Sequence, residues 1–337
     1  MKAVAYYQSL PSSDPQSLQD IELPAPTPGT RDLLVAVRAI SVNPVDTKIR
    51  SNVAPADGQA KVLGWDVAGV VQAMGSEVSL FQVGDEVFYA GALQRQGGNS
   101  ELHVVDERIV GHKPRSLGFA EAAALPLTAI TAWELLFERL KIAEGSASSG
   151  QSLLIIGAAG GVGSILTQLA RQLTGLTVIG TASRPETADW VRQLGAHHVI
   201  DHSQPLLPQL QQLGIQQVNH VASLTHTDQH YDQLIEALAP QGQLALIDDP
   251  AQLDVVKLKR KSLSLHWEFM YTRSLFETPD MQAQHALLEQ VAQLIDAGTL
   301  HTTLGEHFGS INASNLRRAH TLLESGKARG KIVLEGF

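Results

Sequence analysis

The chain has 337 residues, 44% apolar and 18% charged, and at roughly 150 residues per domain this length predicts two globular domains. Its 34 acidic against 25 basic side chains leave a formal charge of −9, which argues against a general affinity for nucleic acid or acidic membranes. With no cysteine, the chain excludes disulfides, a thiol nucleophile, a CxxC redox pair and any cysteine-ligated zinc site. No uninterrupted apolar run approaches the ~20 residues of a bilayer span. The N-terminus turns polar too soon for a signal peptide, and the expected compartment is the cytoplasm.

In chain order, the first ~125 residues read as short strands broken by Gly and Pro. Leu33 to Val42 is a strand stopped by Asn43-Pro44; Val67–Val71 and Val87–Tyr89 follow, with Gly75 and Gly84-Asp85 as turns between them. This pattern predicts a small barrel-like β domain. From about Thr128 the texture changes. Strands are expected at Leu153–Ile156, Thr177–Thr181, Val199-Ile200, Val218–Ala222 and Leu244–Ile247. Between them run helical patterns, one from Val162 to Leu173, one opening near Pro185, and one carrying Tyr231, Leu234, Ile235 and Leu238. Alternation of strand and helix predicts a parallel sheet with helices on both faces. Two amphipathic helices, around Leu287–Ile295 and Leu316–Leu323, and a strand Lys331–Leu334 close the chain. There is no repeat of solenoid length, and Glu144–Gly150 reads as a Ser/Gly-rich surface loop.

The chemistry concentrates at one turn. The strand Leu153–Ile156 runs into Gly157, Ala158, Ala159, Gly160, Gly161, Val162 and Gly163, and a helix follows. Small residues there let the backbone approach a pyrophosphate, and the helix N-terminus offers free N–H groups and a positive dipole end. A strand before, a helix after and further strand–helix units beyond favour dinucleotide binding over a ligand-free turn. About 20 residues beyond such glycines, NAD-binding folds often place a carboxylate for the ribose 2′-hydroxyl. Here Ser183 and Arg184 stand in that region, a hydroxyl and a guanidinium suited to a 2′-phosphate, and the expected cofactor is NADP(H).

These residues, with Gly150 to Leu154, Gln168 and Arg171, resemble the quinone oxidoreductase/zeta-crystallin branch of the medium-chain dehydrogenase/reductase superfamily. Ser41 to Asp46, Gly64 to Val71, Ala124 to Thr128 and Gly330 to Leu334 fall in the expected order, and His266 to Met270 resembles a subgroup usually called zinc-type alcohol dehydrogenase-like. The resemblance implies an α/β architecture. A GroES-like β-barrel substrate domain comprises residues 1–127 and 279–337, a Rossmann doubly wound parallel-sheet domain comprises 128–278, and the active site lies between them. It also implies NADPH-dependent reduction of quinones or activated enones. Asn43, Asp46 and Thr128 would then lie near the nicotinamide. Ser183, Arg184 and His202 would lie near the adenosine phosphate, and Ser223, Ile247, Phe269 and Lys331 around the rest of the cofactor. Zinc-dependent relatives carry a ligand cysteine near Asn43–Asp46, Gly-His-Glu where this chain has Gly64-Trp65-Asp66, and a four-cysteine lobe absent from Ala90–Glu101. No metal is therefore expected. Lys48 stands where related quinone reductases often carry a tyrosine, and it joins Asn43, Asp46 and Thr128 as a catalytic candidate.

Other patterns read as structural. His198/His202 and His226/His230 are four apart with no evident third ligand. Asp248, Asp249 and Asp254 read as a solvated acidic turn, and Lys257–Lys261 as a solvated basic face. There is no GxSxG elbow, so Ser164 is not read as a nucleophile. Ser262–Met270 has period two, with Leu263, Leu265, Trp267 and Phe269 on one face; so aromatic a strand is expected to pair with its copy in a homodimer. Alternatives to quinone reduction on this scaffold are an enoyl or alkenal double-bond reductase, a redox-silent NADPH-binding protein, and a zinc alcohol dehydrogenase using only histidine and carboxylate ligands.

Overall fold

The strand Asp32–Val42 is buried along almost its whole length because it has neighbours on every side. It pairs antiparallel with Asp66–Met74, with Leu102–Asp106 and with Lys331–Glu335. Asp66–Met74 pairs onward with Glu86–Ala90, and that strand with Val110–His112. A second sheet orders Gln19–Glu22, Lys2–Tyr6 and Lys61–Val62. These strands belong to one of two units in the computed structural model, which describes residues 1–56 and 58–337. That unit comprises Met1–Ile130 and Tyr271–Phe337, and the other Thr131–Met270. Register fixes what meets at the end of the central strand. Ser41 lies opposite Asp66, and Val42 opposite Ile332, so Asn43, Asp66 and Lys331 come together although they are far apart in the chain.

The second unit holds a six-stranded, wholly parallel sheet. Its strands lie in the order His198–Ile200, Thr177–Thr181, Ser152–Ile156, Val218–Ser223, Leu238–Leu246, Ser264–Trp267. Numbered by sequence within the unit this is 3-2-1-4-5-6, the doubly wound dinucleotide-binding order, with its switch point between strands one and four. Leu154, Ile156, Ile179 and Val221 pack in one cluster with Leu206, Leu210, Tyr231 and Leu234 from the helices Leu206–Gln212 and Thr227–Ala237. Helix Gly161–Leu173 buries Ile165, Leu166 and Leu169 and packs on the first two strands.

Some expectations need correcting. The strand expected at Ser262–Met270 is only Ser264–Trp267, because Ser262 turns left-handed (φ 52°) at the end of a short 3-10 helix. Its expected face also divides: Leu263 and Leu265 pack against the unit's own core, whereas Trp267 and Phe269 are about half exposed. Lys261 is not solvated; its ammonium donates to the carbonyls of Ile235, Glu236 and Leu238 at 2.6–2.8 Å and so caps the helix Thr227–Ala237. Asp248 likewise holds that helix's first turn, accepting from the Thr227 N–H at 2.8 Å. One described helical stretch, Phe119–Arg139, is long and apolar enough to cross a bilayer by length and composition, yet 78% of its most apolar window is buried inside the protein, as in a core helix.

Candidate functional site

In the second unit every strand delivers one group of the expected cofactor residues at its carboxyl end. The glycine turn follows strand one, Ser183 and Arg184 follow strand two, and His202 follows strand three. Ser223 is the last residue of strand four, Ile247 follows strand five, and Phe269 lies just beyond strand six. The ends of parallel strands at a switch point are where open α/β sheets bind ligands.

The turn itself is built for close approach. Gly157 has φ 78°, which favours glycine, and its N–H donates to Thr181 Oγ1 at 3.1 Å. Gly160 caps the helix Gly161–Leu173 with no side-chain bond to its first-turn N–H groups, which leaves Gly161, Val162 and Gly163 at a dipole end able to take an anion. A Cβ on Gly163 would sit 2.4 Å from the Gly157 carbonyl oxygen and 2.6 Å from Ala158 Cα. The third glycine therefore exists for helix–strand packing, and Ala159 is buried in the same turn. These residues fit a dinucleotide pyrophosphate.

At the end of strand two, Ser183 is exposed and Arg184 caps the helix Pro185–Gln193. The guanidinium lies 3.4 Å from Glu186, both side chains largely solvated, so this pair is weak. Thr181 is in register with Ile200, so Ser183 and His202 leave adjacent strands side by side. The His202 ring stands edge-on to His230, centroids 6.0 Å apart. Burial holds the His202 imidazole below its ordinary pKa, against the pull of Asp201, with His226 adding to the depression. The four-residue histidine spacings thus do not define the pairing; His202 meets His230 from a different element. Ser223 is fully buried and bonded to Thr227 Oγ1 at 2.8 Å, Ile247 is half-buried, and Phe269 half-exposed.

The other expected residues form a buried polar cluster in the first unit. Asn43 caps the helix Pro44–Asn52, with Pro44 in its first position, and Asp46 completes a capping box. One Asp46 oxygen accepts from the Asn43 N–H at 2.6 Å and the other from the Gly64 N–H at 2.9 Å. Burial pushes the Asp46 carboxyl up to about 7, opposed by the Asn43 N–H, the Lys331 ammonium and the Gly64 N–H. Asn43 Nδ2 donates to Asp66 Oδ2 at 2.8 Å, while its Oδ1 accepts from Lys331. Lys331 Nζ also donates to Val42 O and to Asp66 Oδ2, both at 2.9 Å, and Asp66 Oδ1 takes the Leu127 N–H at 2.7 Å. All four side chains are almost wholly buried. Thr128 is buried too and donates to Leu125 O at 3.0 Å, whereas Lys48 is exposed on the capped helix.

Asp66 and Tyr271 belong to this cluster but were not among the expected site residues. Burial, then the charges of Asp46 and Asp66, push the Tyr271 phenol well above its usual pKa, and its ring meets Trp65 edge-on at 6.5 Å. Asp66 was visible in Gly64-Trp65-Asp66; nothing local marks Tyr271. Trp65 stands where zinc-dependent relatives carry a histidine, and its indole N–H donates to Ala92 O at 3.2 Å, so it offers a metal no lone pair. Among the described residues no three His, Asp or Glu side chains gather as metal ligands. This donor set does not fit a zinc ion.

Comparison with known proteins identifies the family. Residues 29–133 match an alcohol dehydrogenase GroES-like domain and residues 194–334 a zinc-binding dehydrogenase domain. A zinc-type alcohol dehydrogenase-like protein of Staphylococcus aureus is 40% identical, over 99% of each chain. A quinone oxidoreductase of Pseudomonas aeruginosa is 33% identical, over 95% of this chain and 96% of the other. Among solved structures, one described as a putative zinc-dependent alcohol dehydrogenase from Rhizobium etli superposes with a TM-score of 0.97 at 55% identity, over 100% and 98% of the two chains. A mycobacterial protein solved with NADPH superposes with a TM-score of 0.84 at 27% identity, over 99% of each. The chain belongs to the medium-chain dehydrogenase/reductase superfamily, with a GroES-like domain and a Rossmann-type domain. It is thus a member of an oxidoreductase family.

Proposed function

We propose that this protein is an NADPH-dependent reductase of quinones or similarly activated enones that works without a catalytic metal. The observation that carries the cofactor choice is the end of strand two. There Ser183 and Arg184 present a hydroxyl and a guanidinium where NAD-specific folds place a carboxylate. The glycine turn would hold the pyrophosphate, and Arg184 the 2′-phosphate. When bound, the nucleotide supplies the hydride.

Substrate class follows from the donors. Reduction of a carbonyl needs its developing oxyanion stabilised by a metal or by hydrogen-bond donors. The Asn43 amide is engaged by Asp66 and Lys331, and the Thr128 hydroxyl proton lies on Leu125 O. Simple ketones would find little activation from these groups; quinones and enones are already electrophilic. A homodimer is part of the reading. Ser264–Trp267 ends the order of the parallel sheet, with aromatic side chains half exposed on and just beyond it, a surface suited to pairing with its own copy.

Steady-state assays with NADPH against a quinone panel and an enone panel test the reaction. Turnover of enones alone favours the double-bond reductase, and binding without turnover favours a redox-silent protein. Arg184→Ala should lose about tenfold or more in NADPH affinity with NADH unchanged; an unchanged NADP/NAD preference refutes the cofactor assignment. A sedimenting monomer at micromolar concentration refutes the dimer.

A further inference from the structure

The parallel sheet has a second polar site at the edge opposite the glycine turn. A cavity of about 510 Å³ opens at the amino-terminal ends of its strands, within the size range of small-molecule pockets. It is lined by Lys141, Gln151, Asn219, His220, Gln241 and Gln243 together with small and apolar residues. No Asp or Glu lines it, although the chain as a whole has nine more acidic than basic side chains.

Several of the polar groups keep an amide nitrogen free to donate, beside one buried acceptor, His220 Nδ1. Gln151 Oε1 pairs with His220 Nε2 at 2.8 Å, which leaves the Gln151 amide nitrogen uncommitted among the described residues. Asn219 Oδ1 accepts from the Ser152 N–H at 2.9 Å and from its hydroxyl at 3.4 Å, so that amide nitrogen is also uncommitted. Gln241 makes no side-chain bond among the described residues, and the exposed Lys141 ammonium has no carboxylate partner there. Burial holds the His220 imidazole below its ordinary pKa, with Gln243 opposing, so the ring sits there neutral.

Backbone strain coincides with this cavity. Of the five described non-glycine residues with positive φ, two line it: Lys141 at 53° and Gln241 at 66°. Non-glycine residues in that region persist where surrounding structure over-determines them, and they cluster at ligand clamps. Lys141 follows the π-helical turn Glu134–Arg139, and Gln241 lies within strand five, in the irregular stretch where its pairing with strand four shifts register. Both side chains are thereby placed on one polar cavity.

We propose that this cavity is a binding site for a small organic anion bearing several carboxylate or hydroxyl groups, distinct from the nucleotide site. Uncommitted amide N–H groups and one ammonium match carboxylate and hydroxyl oxygens, and the absence of acidic side chains removes the repulsion an anion meets elsewhere on this chain. The assignment does not depend on the oxidoreductase reading.

The test titrates the full-length protein, both alone and with NADPH present, with citrate, tartrate and gluconate by calorimetry, with sodium chloride at matched ionic strength as control. At least one probe should bind once per chain without displacing the nucleotide. Lys141→Gly removes the ammonium while relieving the positive φ, so it should fold at least as well as wild type. It and Gln243→Leu should each weaken the probe by about tenfold or more, while Arg184→Ala leaves it unchanged. No binding of any probe, displacement by NADPH, or equal affinity in wild type and both cavity variants overturns the proposal.

Discussion

Lys331→Met tests the buried cluster most directly. Methionine keeps the length and apolar stem of lysine but removes an ammonium that donates to Val42 O, Asn43 Oδ1 and Asp66 Oδ2. Asp66, fully buried, would keep only Asn43 Nδ2 and the Leu127 N–H. Removing one partner of a buried ion pair costs about 3–5 kcal/mol. The expected destabilisation of the variant is therefore about 3–5 kcal/mol. Urea unfolding followed by fluorescence reads it, because Trp65 is buried in the same unit. Asp66→Asn in the Lys331→Met background should recover part of the loss at pH 7. A single-variant loss under about 1 kcal/mol would show that the pair is not the buried charge this reasoning requires.

Gly163→Ala drives a methyl into backbone at 2.4 and 2.6 Å, so helix and strand must part; about 1–3 kcal/mol of stability and most of the NADPH affinity should go together. Unaltered melting and an unaltered dissociation constant would remove the glycine turn from the binding site. His320 is fully buried, accepts from Arg50 NH1 through Nδ1 at 2.7 Å, and is held neutral by burial and then by the Arg50 charge, its pKa lowered to about 3. The unfolded chain protonates this group near 6.5, so its contribution is fully present above that pH and is lost as pH falls from 6.5 toward about 3. His320→Gln should therefore lose stability less steeply than wild type between pH 6.5 and 4 in urea unfolding; parallel curves would contradict the buried neutral imidazole. His103 behaves with the same sign. Burial lowers its pKa to about 4, and its ring bridges Tyr89 Oη at 2.9 Å and Gln96 O at 3.0 Å.

The parallel half was legible because its signals are local. Strands buried on both faces are short continuous apolar runs, such as Leu153–Ile156, and each is followed by a helix with a 3.6-residue stripe. In the antiparallel half the strands Gln19–Glu22 and Leu102–Asp106 are short and mixed in polarity, and Lys2–Tyr6 is an apolar run too short to show a period, so none carries a clear local signal. Asn43-Pro44 ends the strand Asp32–Val42. It is also a helix start, with Asn43 as cap, Pro44 at the first position and Asp46 three residues after the cap, a pattern the sequence does display. The cavity at the far edge of the sheet was not legible, because its amides arrive from three separate segments.

The cluster around Lys331 bears on why a family bearing a zinc name can include a chain with no cysteine. Two carboxylates, Asp46 and Asp66, are buried near each other in the unit that the GroES-like match covers. Buried carboxylates need neutralising, and a metal ion is one way to supply positive charge. Here the last strand supplies an ammonium instead, delivered by the antiparallel register that sets Ile332 opposite Val42. A divalent ion seated on Asp66 would face that ammonium, itself only 2.9 Å from the carboxylate, and would have to displace it. The exchange ties fold to chemistry, because a fixed ammonium committed to three internal acceptors stabilises structure but cannot polarise a substrate carbonyl as an open metal site does. On the metal-free reading proposed above, an enzyme built this way would depend on the electrophilicity its substrate already has. Restoring single zinc ligands, as in Trp65→His, should therefore fail to confer alcohol oxidation: Lys331 would still hold Asp66, and zinc added to the purified variant should neither bind stoichiometrically nor raise turnover.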